Sequence, residues 1–266
     1  EMQWVSRINR ACDEDRLELM CQPIVPIRAG VDPIRHFELL LRMRDEQGQL
    51  VQPAEFIPAA ERFNLMPAID RWVVRQACTR LAHRRGDSTC EPYVLAINIS
   101  STTLNDEQFL DFVVTELGKA DLTPGALCFE LTESAAMTSL ASATHFIREL
   151  RNRGCRFSLD DFGSGLSSFI FLKNLPVDFL KLDGQFMHNV THDHIDRSMV
   201  EAIAQIGESM GIRTVAERVD SAEVLARLAD IGIQYAQGNY ISAPRPVEVL
   251  RSLVQADAPP DARLLA

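Results

Sequence analysis

Several features that mark other protein classes are scarce in this chain of 266 residues. Its six cysteines are scattered and form no CxxC pair, which favours reduced thiols in a cytoplasmic protein over a disulfide framework. No apolar run approaches the roughly 20 residues that span a bilayer, so we expect no membrane contact from this segment. No block of lysine and arginine offsets the formal net charge of −10, which argues against binding of nucleic acid polymers.

The chain does contain a regular alternation of apolar runs and helix-periodic segments. A leading helix carries Trp4, Val5 and Ile8 at helical spacing, before the first apolar run. The predicted strands cover residues 17–27, 37–41, 93–98, 126–131, 155–160, 177–182, 212–217 and 232–237. Only about nine residues join the first two, too few for a crossover helix, so the first strand should be antiparallel. The pattern predicts an α/β fold, a TIM-like (β/α)8 barrel with an antiparallel first strand and a leading N-terminal helix.

Glycines and prolines predict where the intervening helices end. Pro67 should begin one helix, Gly118 should lie just beyond another, and residues 199–210 should form a third that stops at Gly211. We expect residues 1–256 to form a single barrel domain and residues 257–266 a tail or linker. Because the chain starts at Glu1 with no initiator methionine, we expect a fragment of a longer, cytoplasmic or membrane-associated protein.

Charged or amide side chains stand at the carboxyl ends of the apolar runs. They are Asn98, Glu130, Asp160 with Asp161, Lys181, Glu217 and Gln237, with Glu38 upstream. Such ends meet at one rim of a barrel, so we expect an acidic pocket there. Clustered carboxylates need cations to stay ionised, and Mg²⁺ or Mn²⁺ prefers oxygen ligands, whereas the absence of Cys and His among these strand ends disfavours zinc. The adjacent Asp160 and Asp161 suggest a two-ion centre that cleaves a phosphoryl ester.

Taken singly, most of these residues have ordinary explanations. Glu38 or Glu217 alone fits a solvated or salt-bridged carboxylate, and Asn98 fits a cap for a following helix. Lys181 is more unusual, because burying an unpaired lysine between two leucines is costly. The run from 159 to 168 reads LDDFGSGLSS, and its glycines fit either a mobile loop beside the site or a plain strand-to-helix turn.

Together the motifs resemble those of the EAL domain, a bacterial module that opens cyclic di-GMP to the linear dinucleotide pGpG. The resemblance covers roughly residues 5 to 250 and rests on Gln22-Pro23-Ile24, Glu38 through Arg42, Asn98-Ile99-Ser100, Glu130 through Ser134, DDFGSG from Asp160, Lys181-Leu182-Asp183, Ala216-Glu217 and Gln237-Gly238. It implies a barrel with an antiparallel first strand, cyclic di-GMP as substrate, and Mg²⁺ or Mn²⁺ as cofactor with Ca²⁺ as an inhibitor. It also implies a homodimer, fused to sensory or cyclase domains in the full-length protein.

The resemblance also implies a role for each site residue. Glu38, Asn98, Glu130 and Asp160 hold one ion, and Asp160 with Asp161 holds the second, with Glu217 also among the metal ligands. Glu217 and Lys181 position and activate the water, with Glu217 or a metal-bound hydroxide as the base. Substrate binding falls to Gln22, Arg42, Gln237 and Asp183. Glu133 anchors the loop that contains Gly163 and Gly165.

Some positions depart from the pattern of that family. Leu39 replaces the usual Ala and should pack away from Glu38, Leu166 stands where Tyr is usual, and Arg218 replaces the Gly after Glu217. Arg218 raises the concern that it alters the pKa of Glu217 or crowds the backbone.

Two alternative functions stay open. One is a receptor that binds cyclic di-GMP without cleaving it, and the other is a barrel phosphohydrolase for another nucleotide ester. An HD-type hydrolase is rejected because His192-Asp193 lies in a predicted polar loop, where the neighbouring histidines are surface residues.

Overall fold

The computed structural model describes residues 2–28, 30–31, 34–85, 91–163 and 172–255. Within these residues the strands are β1 Leu17–Pro26, β2 Arg35–Arg44, β3 Leu50–Val51, β4 Tyr93–Asn98, β5 Leu127–Thr132, β6 Arg156–Phe162, β7 Phe179–Leu182, β8 Arg213–Ala216, β9 Tyr235–Ala236 and β10 Arg245–Pro246. The pairing runs β1–β2–β4–β5–β6–β7–β8–β9 and returns to β1, which closes an eight-stranded barrel. The predicted TIM-like barrel is confirmed.

The first strand runs against the others, as the short link predicted. β1 pairs antiparallel with β2 from Leu17 opposite Met43 to Ile24 opposite His36, and it pairs antiparallel with β9 on its other edge. The parallel pairings begin with β2 and β4 and continue to β8 and β9. Parallel strands therefore bring their carboxyl ends to one rim, while β1 crosses the barrel in the opposite direction and adds Gln22 beside Glu38.

Helices surround the barrel as crossover connections. In the described residues they are α1 Met2–Asp13, α2 Pro53–Arg62, α3 Met66–Arg85, α4 Ser101–Leu104, α5 Glu107–Ala120, α6 Glu133–Thr138, α7 Leu140–Arg151, α8 His194–Met210, α9 Ala222–Ile231 and α10 Leu250–Gln255. Their apolar faces cover the outside of the sheet in one continuous core. None of the helices in this described part is long and apolar enough to cross a membrane.

Several predicted boundaries are wrong. Gly118 lies inside α5, which continues to Ala120 and ends at Asp121 in a left-handed conformation. The helix predicted over 199–210 begins earlier, at His194, because the Asp193 carboxylate accepts hydrogen bonds from the amides of Ile195 and Asp196. The two-residue strands β3 and β10 were not predicted, since such short pairings carry no periodic pattern. The predicted tail, residues 257–266, lies outside the described residues.

The inside of the barrel holds two layers of side chains. One layer is apolar and consists of Ile24, Val94, Ala96, Cys128, Phe179, Val215 and Tyr235. The His36 ring contacts Phe179 edge-on, with centroids 5.2 Å apart, and lies 5.5 Å from the ring of Tyr235. Side chains two residues apart on a strand lie on the same face, so the next inward positions form a second layer at the carboxyl rim. That second layer contains the polar strand ends.

Candidate active site

The polar layer brings the predicted strand-end residues together. Each follows an apolar inward-facing residue by two positions: Glu130 follows Cys128, Lys181 follows Phe179, Glu217 follows Val215 and Gln237 follows Tyr235. On β1, which runs the other way, Gln22 precedes Ile24 by two. The same alternation that faces one residue to the apolar layer therefore faces its neighbour to the rim.

Lys181 is the centre of this layer, with only 1% of its surface exposed. Its Nζ lies 2.7 Å from Glu217 Oε1, 3.0 Å from Glu130 Oε2, 3.1 Å from Glu38 Oε2 and 3.5 Å from Asp160 Oδ1. These carboxylates come from β2, β5, β6 and the residue that follows β8. A buried ammonium is strongly stabilised when charged oxygens replace its hydration shell, so the lysine and the carboxylates depend on one another.

The pKa values reflect crowding of negative charge around one cation. Burial alone would lower the pKa of Lys181, but the four carboxylates raise it well above its ordinary value. Burial also raises the pKa of Glu130 well above its usual range, despite the attraction of Lys181. The pKa of Glu38 is instead lowered, because Lys181 and two side-chain amides outweigh its burial. Burial raises the pKa of Glu217 to about 7. The layer thus holds more acid than one ammonium can neutralise.

Amide side chains fix the position of Glu38. Asn98 Nδ2 donates to Glu38 Oε1 at 2.7 Å, and Gln237 Nε2 donates to Glu38 Oε2 at 2.7 Å. Gln237 Nε2 also donates to Gln22 Oε1 at 3.0 Å, and Gln22 Nε2 donates to the Ser242 carbonyl at 3.0 Å. This chain of hydrogen bonds ties the carboxylate on β2 to the loop that precedes β10.

The carboxylates of Asp160, Asp161 and Glu217 could together hold a metal ion. One oxygen from each lies within 4.8 Å of the others. β6 has an irregular register between Leu159 and Phe162, and Asp161 adopts a left-handed φ of 54°. This bulge lets two consecutive carboxylates reach the rim, where a regular strand would direct them to opposite faces. Three hard oxygen donors fit a divalent cation such as Mg²⁺ or Mn²⁺.

A pocket of about 480 Å³ opens above these carboxylates. Its described lining includes Glu38, Asp160, Asp161 and Glu217 together with Arg218. A larger groove of about 1290 Å³ lies at the amino ends of the strands, beside Arg156 and Arg213, far from the carboxylate cluster along the strands. The smaller pocket is the candidate active site, because it is the one of the two that the carboxylate cluster lines.

The EAL domain family profile matches residues 5–244. The chain belongs to the EAL domain family. It is 38% identical over 244 residues to the cyclic di-GMP phosphodiesterase PdeB of Shewanella oneidensis, covering 92% of this chain and 28% of that protein. It is 33% identical to the cyclic di-GMP phosphodiesterase PdeF of Escherichia coli, covering 91% of this chain and 32% of that protein. The chain thus spans less than a third of the length of these relatives.

Solved EAL domains have the same fold. The FimX EAL domain of Pseudomonas aeruginosa bound to c-di-GMP superimposes with a TM-score of 0.84 at 29% identity, covering 91% of this chain and 96% of that one. The c-di-GMP complex of the phosphodiesterase PaMucR gives a TM-score of 0.84 at 31% identity, covering 93% of this chain and 99% of that one.

Other predicted residues of this EAL domain lie around the cluster. Glu133 is buried, and its carboxylate accepts a hydrogen bond from the Gly163 amide at 3.2 Å. Asp183 caps the 3-10 helix Gly184–Phe186 by accepting from the Gln185 amide. Arg42 lies four residues beyond Glu38 on β2, and its Nη1 donates to the Leu41 carbonyl at 2.7 Å. Gly165 lies outside the described residues.

Sequence reasoning missed Asp70, a buried residue of α3 that supports the rim of the EAL domain. Its carboxylate accepts hydrogen bonds from the Ser100 amide at 3.0 Å and the Ser100 hydroxyl at 2.9 Å. Ser100 caps α4, two residues after Asn98. Burial raises the pKa of Asp70 to about 6. An acid beside Ile69 and at helical spacing from Val73 and Val74, on the apolar face of α3, was the available signal.

One expectation about departures from the family pattern has a clear outcome, and a second residue acts on a different neighbour from the expected one. Leu39 is buried in the core around the barrel, on the opposite face of β2 from Glu38, and this expectation is confirmed. Arg218 adopts a left-handed φ of 51° after Glu217. Its charge lowers the pKa of Asp161, whose net shift is nevertheless upward because of burial. His188, His192 and His194 are exposed, as predicted.

Proposed function

We propose that this EAL domain is a metal-dependent phosphodiesterase that hydrolyses cyclic di-GMP to linear pGpG. The observation that carries the proposal is the polar layer itself. A buried lysine lies among four carboxylates, and two of them, Asp160 and Glu217, join Asp161 in a group that could hold a cation. The names of PdeB and PdeF and the c-di-GMP complexes of related EAL domains support the substrate.

The proposed metal ligands follow from the donor set. Asp160, Asp161 and Glu217 would hold one divalent ion, and Glu38, Asn98 and Glu130 would join Asp160 around another. Mg²⁺ and Mn²⁺ suit such oxygen donors, whereas Ca²⁺ prefers a larger and looser coordination and should inhibit turnover. Bound cations would stabilise charge on the phosphoryl oxygens and favour ionisation of the attacking water.

The residues of the chain would then do the positioning and the proton transfer. Glu217 lies at the rim beside Lys181 and Asp160, where it would be placed to accept the proton of the attacking water. The water oxygen bonds to phosphorus as the bond to the ribose 3′ oxygen breaks, and that oxygen leaves as a hydroxyl after gaining a proton. Lys181 holds the carboxylates in place and stabilises the developing negative charge.

Substrate contacts and partners belong to the same proposal. We assign nucleotide binding to Gln22, Gln237 and Asp183, and a phosphate contact to Arg42, with Glu133 anchoring the loop from Gly163 to Gly165. Residues 1–256 would act as one catalytic unit, as a homodimer in the cytoplasm, within a longer protein. The greater length of the curated relatives supports the last point. MucR of Pseudomonas aeruginosa, named a bifunctional diguanylate cyclase and phosphodiesterase, suggests one kind of fusion.

The test is to incubate the protein with cyclic di-GMP and Mg²⁺ or Mn²⁺ and to separate the products by chromatography. We expect pGpG, no product after chelation of the metal, and at least a hundredfold lower rate for Glu38→Ala with an unchanged circular dichroism spectrum. Binding of cyclic di-GMP without product under both metals would favour the receptor alternative. A near-normal rate for Glu38→Ala would refute the proposed role of Glu38 as a metal ligand.

A further inference from the structure

Arg218 stands out among the residues that line the pocket. It is exposed at the mouth and follows directly after Glu217, at the end of β8. Its φ of 51° is left-handed, a conformation that costs a residue with a Cβ about 1 kcal/mol or more relative to glycine. Glycine, the residue that the motif of this family usually has here, would adopt this conformation without that cost. A strained residue other than glycine at a site is a reason to look for a function.

The stem of Arg218 is held against the neighbouring strand end. A Cβ placed on Gly184 would meet Arg218 Cδ and would lie 2.7 Å from its Cγ and 2.9 Å from its Cβ, and these are the three nearest atoms. Gly184 itself has no left-handed φ, so space for the arginine is the constraint at this position. The arginine therefore lies across the start of the 3-10 helix that follows β7, beside Asp183.

The charges of the pocket explain what this cation could bind. Among its described lining residues, Arg218 is the one permanent cation, against five carboxylates: Glu38, Asp160, Asp161, Glu217 and Asp220. Lys181 lies beneath them and is enclosed by four of the carboxylates of the layer. The carboxylates repel an anionic ligand that enters this pocket. A guanidinium at the rim can offset that repulsion and bind a phosphate through two parallel hydrogen bonds, a bidentate contact.

We propose that Arg218 binds a phosphate group of the cyclic dinucleotide and so helps to position it over the carboxylate cluster. This inference rests on the proposed function, because it concerns the same substrate. The alternative consequence of the same geometry is that Arg218 acts only on Asp161 and weakens cation binding there. The two differ in what they change: nucleotide affinity in the first case, metal affinity in the second.

The test compares Arg218→Gly and Arg218→Gln with Arg153→Gln, a control that removes an exposed arginine at the other end of the barrel. Binding of cyclic di-GMP is measured by calorimetry with Ca²⁺ in place of Mg²⁺, and Mn²⁺ binding is measured separately without nucleotide. We expect about tenfold weaker nucleotide binding for both Arg218 variants, a raised KM with kcat changed less than threefold, Mn²⁺ binding that is unchanged or tighter but not weaker, and no effect of Arg153→Gln. Arg218→Gly should not lower the Tm, since it relieves the left-handed strain.

A second pair of variants tests the geometry. Gly184→Ala should displace Arg218 and weaken nucleotide binding several-fold, but it should have no added effect in the Arg218→Gly background. Unchanged nucleotide binding in Arg218→Gln, or tighter Mn²⁺ binding as its sole change, would overturn the proposal, as would a wild-type protein that does not bind cyclic di-GMP. A wild-type protein that binds the nucleotide but forms no pGpG would refute the proposed hydrolysis and leave the Arg218 comparison intact.

Discussion

The two layers inside the barrel are built by the same strands, two residues apart, yet they have opposite chemistry. The apolar layer packs Phe179, Val215 and Tyr235 with their neighbours into a buried floor. The layer above it places Lys181 and Glu217, each two residues further along its strand, in direct contact at 2.7 Å. The comparison shows that the fold supplies a rigid, low-dielectric base on which charges interact more strongly than they would in water.

The layers also differ in what completes them. The apolar layer fills its space with its own side chains, as a barrel core does. The polar layer has four carboxylates around one ammonium, and the pKa values of Glu130 and Glu217 are raised because burial and the neighbouring carboxylates disfavour their ionisation. Cations from solution would reduce the repulsion between these carboxylates, so this layer is the part of the core that is suited to bind ligands.

The largest expected effect comes from removing the lysine of the polar layer. Lys181→Met leaves its carboxylates without a partner, so we expect a loss of about 3–5 kcal/mol in the free energy of unfolding of the metal-free protein at pH 7. Activity should fall by at least about a thousandfold. Denaturant titration and product formation measure the two effects.

Lys119→Met is the matched control for this lysine. Lys119 pairs with Glu116 on the exposed face of α5, so its removal should change stability by less than about 0.5 kcal/mol and leave the rate unchanged. Equal effects of the two substitutions would contradict the claim that stability and activity depend on the lysine buried among the carboxylates.

The next effect is the contribution of Glu217, in the polar layer, to the dependence of stability on pH. The pKa of Glu217 is about 7 in the folded protein against an ordinary value of 4.5. The folded state therefore binds this proton more tightly, and its contribution to stability is full below about pH 4.5 and is lost as the pH rises through about 7. The measurement is the Tm of wild type and Glu217→Gln in a chelator from about pH 5 to about pH 8.

We expect the wild-type Tm to fall by several degrees more than the Tm of Glu217→Gln over this interval. Mn²⁺ should reverse the trend, because the metal competes with the proton for the same oxygens. Parallel curves for the two proteins would show that Glu217 does not titrate in this range.

The smallest expected effect comes from making the apolar layer polar. Val215→Thr keeps the shape of a buried side chain but adds a hydroxyl that has few partners there, so we expect a loss of about 1–2 kcal/mol in the free energy of unfolding. The rate on cyclic di-GMP should stay within about threefold of wild type, because the substitution lies one layer below the chemistry. A large loss of rate with normal stability would mean that the floor takes part in the reaction.

Sequence patterns predicted the barrel and most of the polar layer for a clear physical reason. A buried parallel strand is apolar throughout, so a charged residue at its end, such as Glu130 or Lys181, is easily recognised. The antiparallel first strand followed from the length of one link. What the pattern could not show was which oxygens meet. Glu38, Glu130 and Glu217 contact Lys181, and Glu217 also joins Asp160 and Asp161 in the group that could hold a cation.

Other features depend on contacts that have no local sequence signal. The bulge that turns Asp161 to the rim, the support of Ser100 by Asp70 and the fit of Arg218 over Gly184 each join residues distant in the chain or bend a strand locally. Helix ends such as that of α5 were misplaced because a single glycine inside a helix costs only about 1 kcal/mol and does not by itself end the helix. These details decide ligand geometry and substrate contacts more than they decide the fold.

The central claim is that divalent cations bind in the polar layer and position cyclic di-GMP for hydrolysis. The most direct measurement is a crystal structure of the inactive Glu38→Gln variant with Mn²⁺ and cyclic di-GMP, using anomalous scattering at the manganese edge. We predict an anomalous peak within coordination distance of Asp160, Asp161 and Glu217, with a phosphate of the nucleotide beside it. Manganese bound elsewhere, or nucleotide bound away from this rim, would contradict the account.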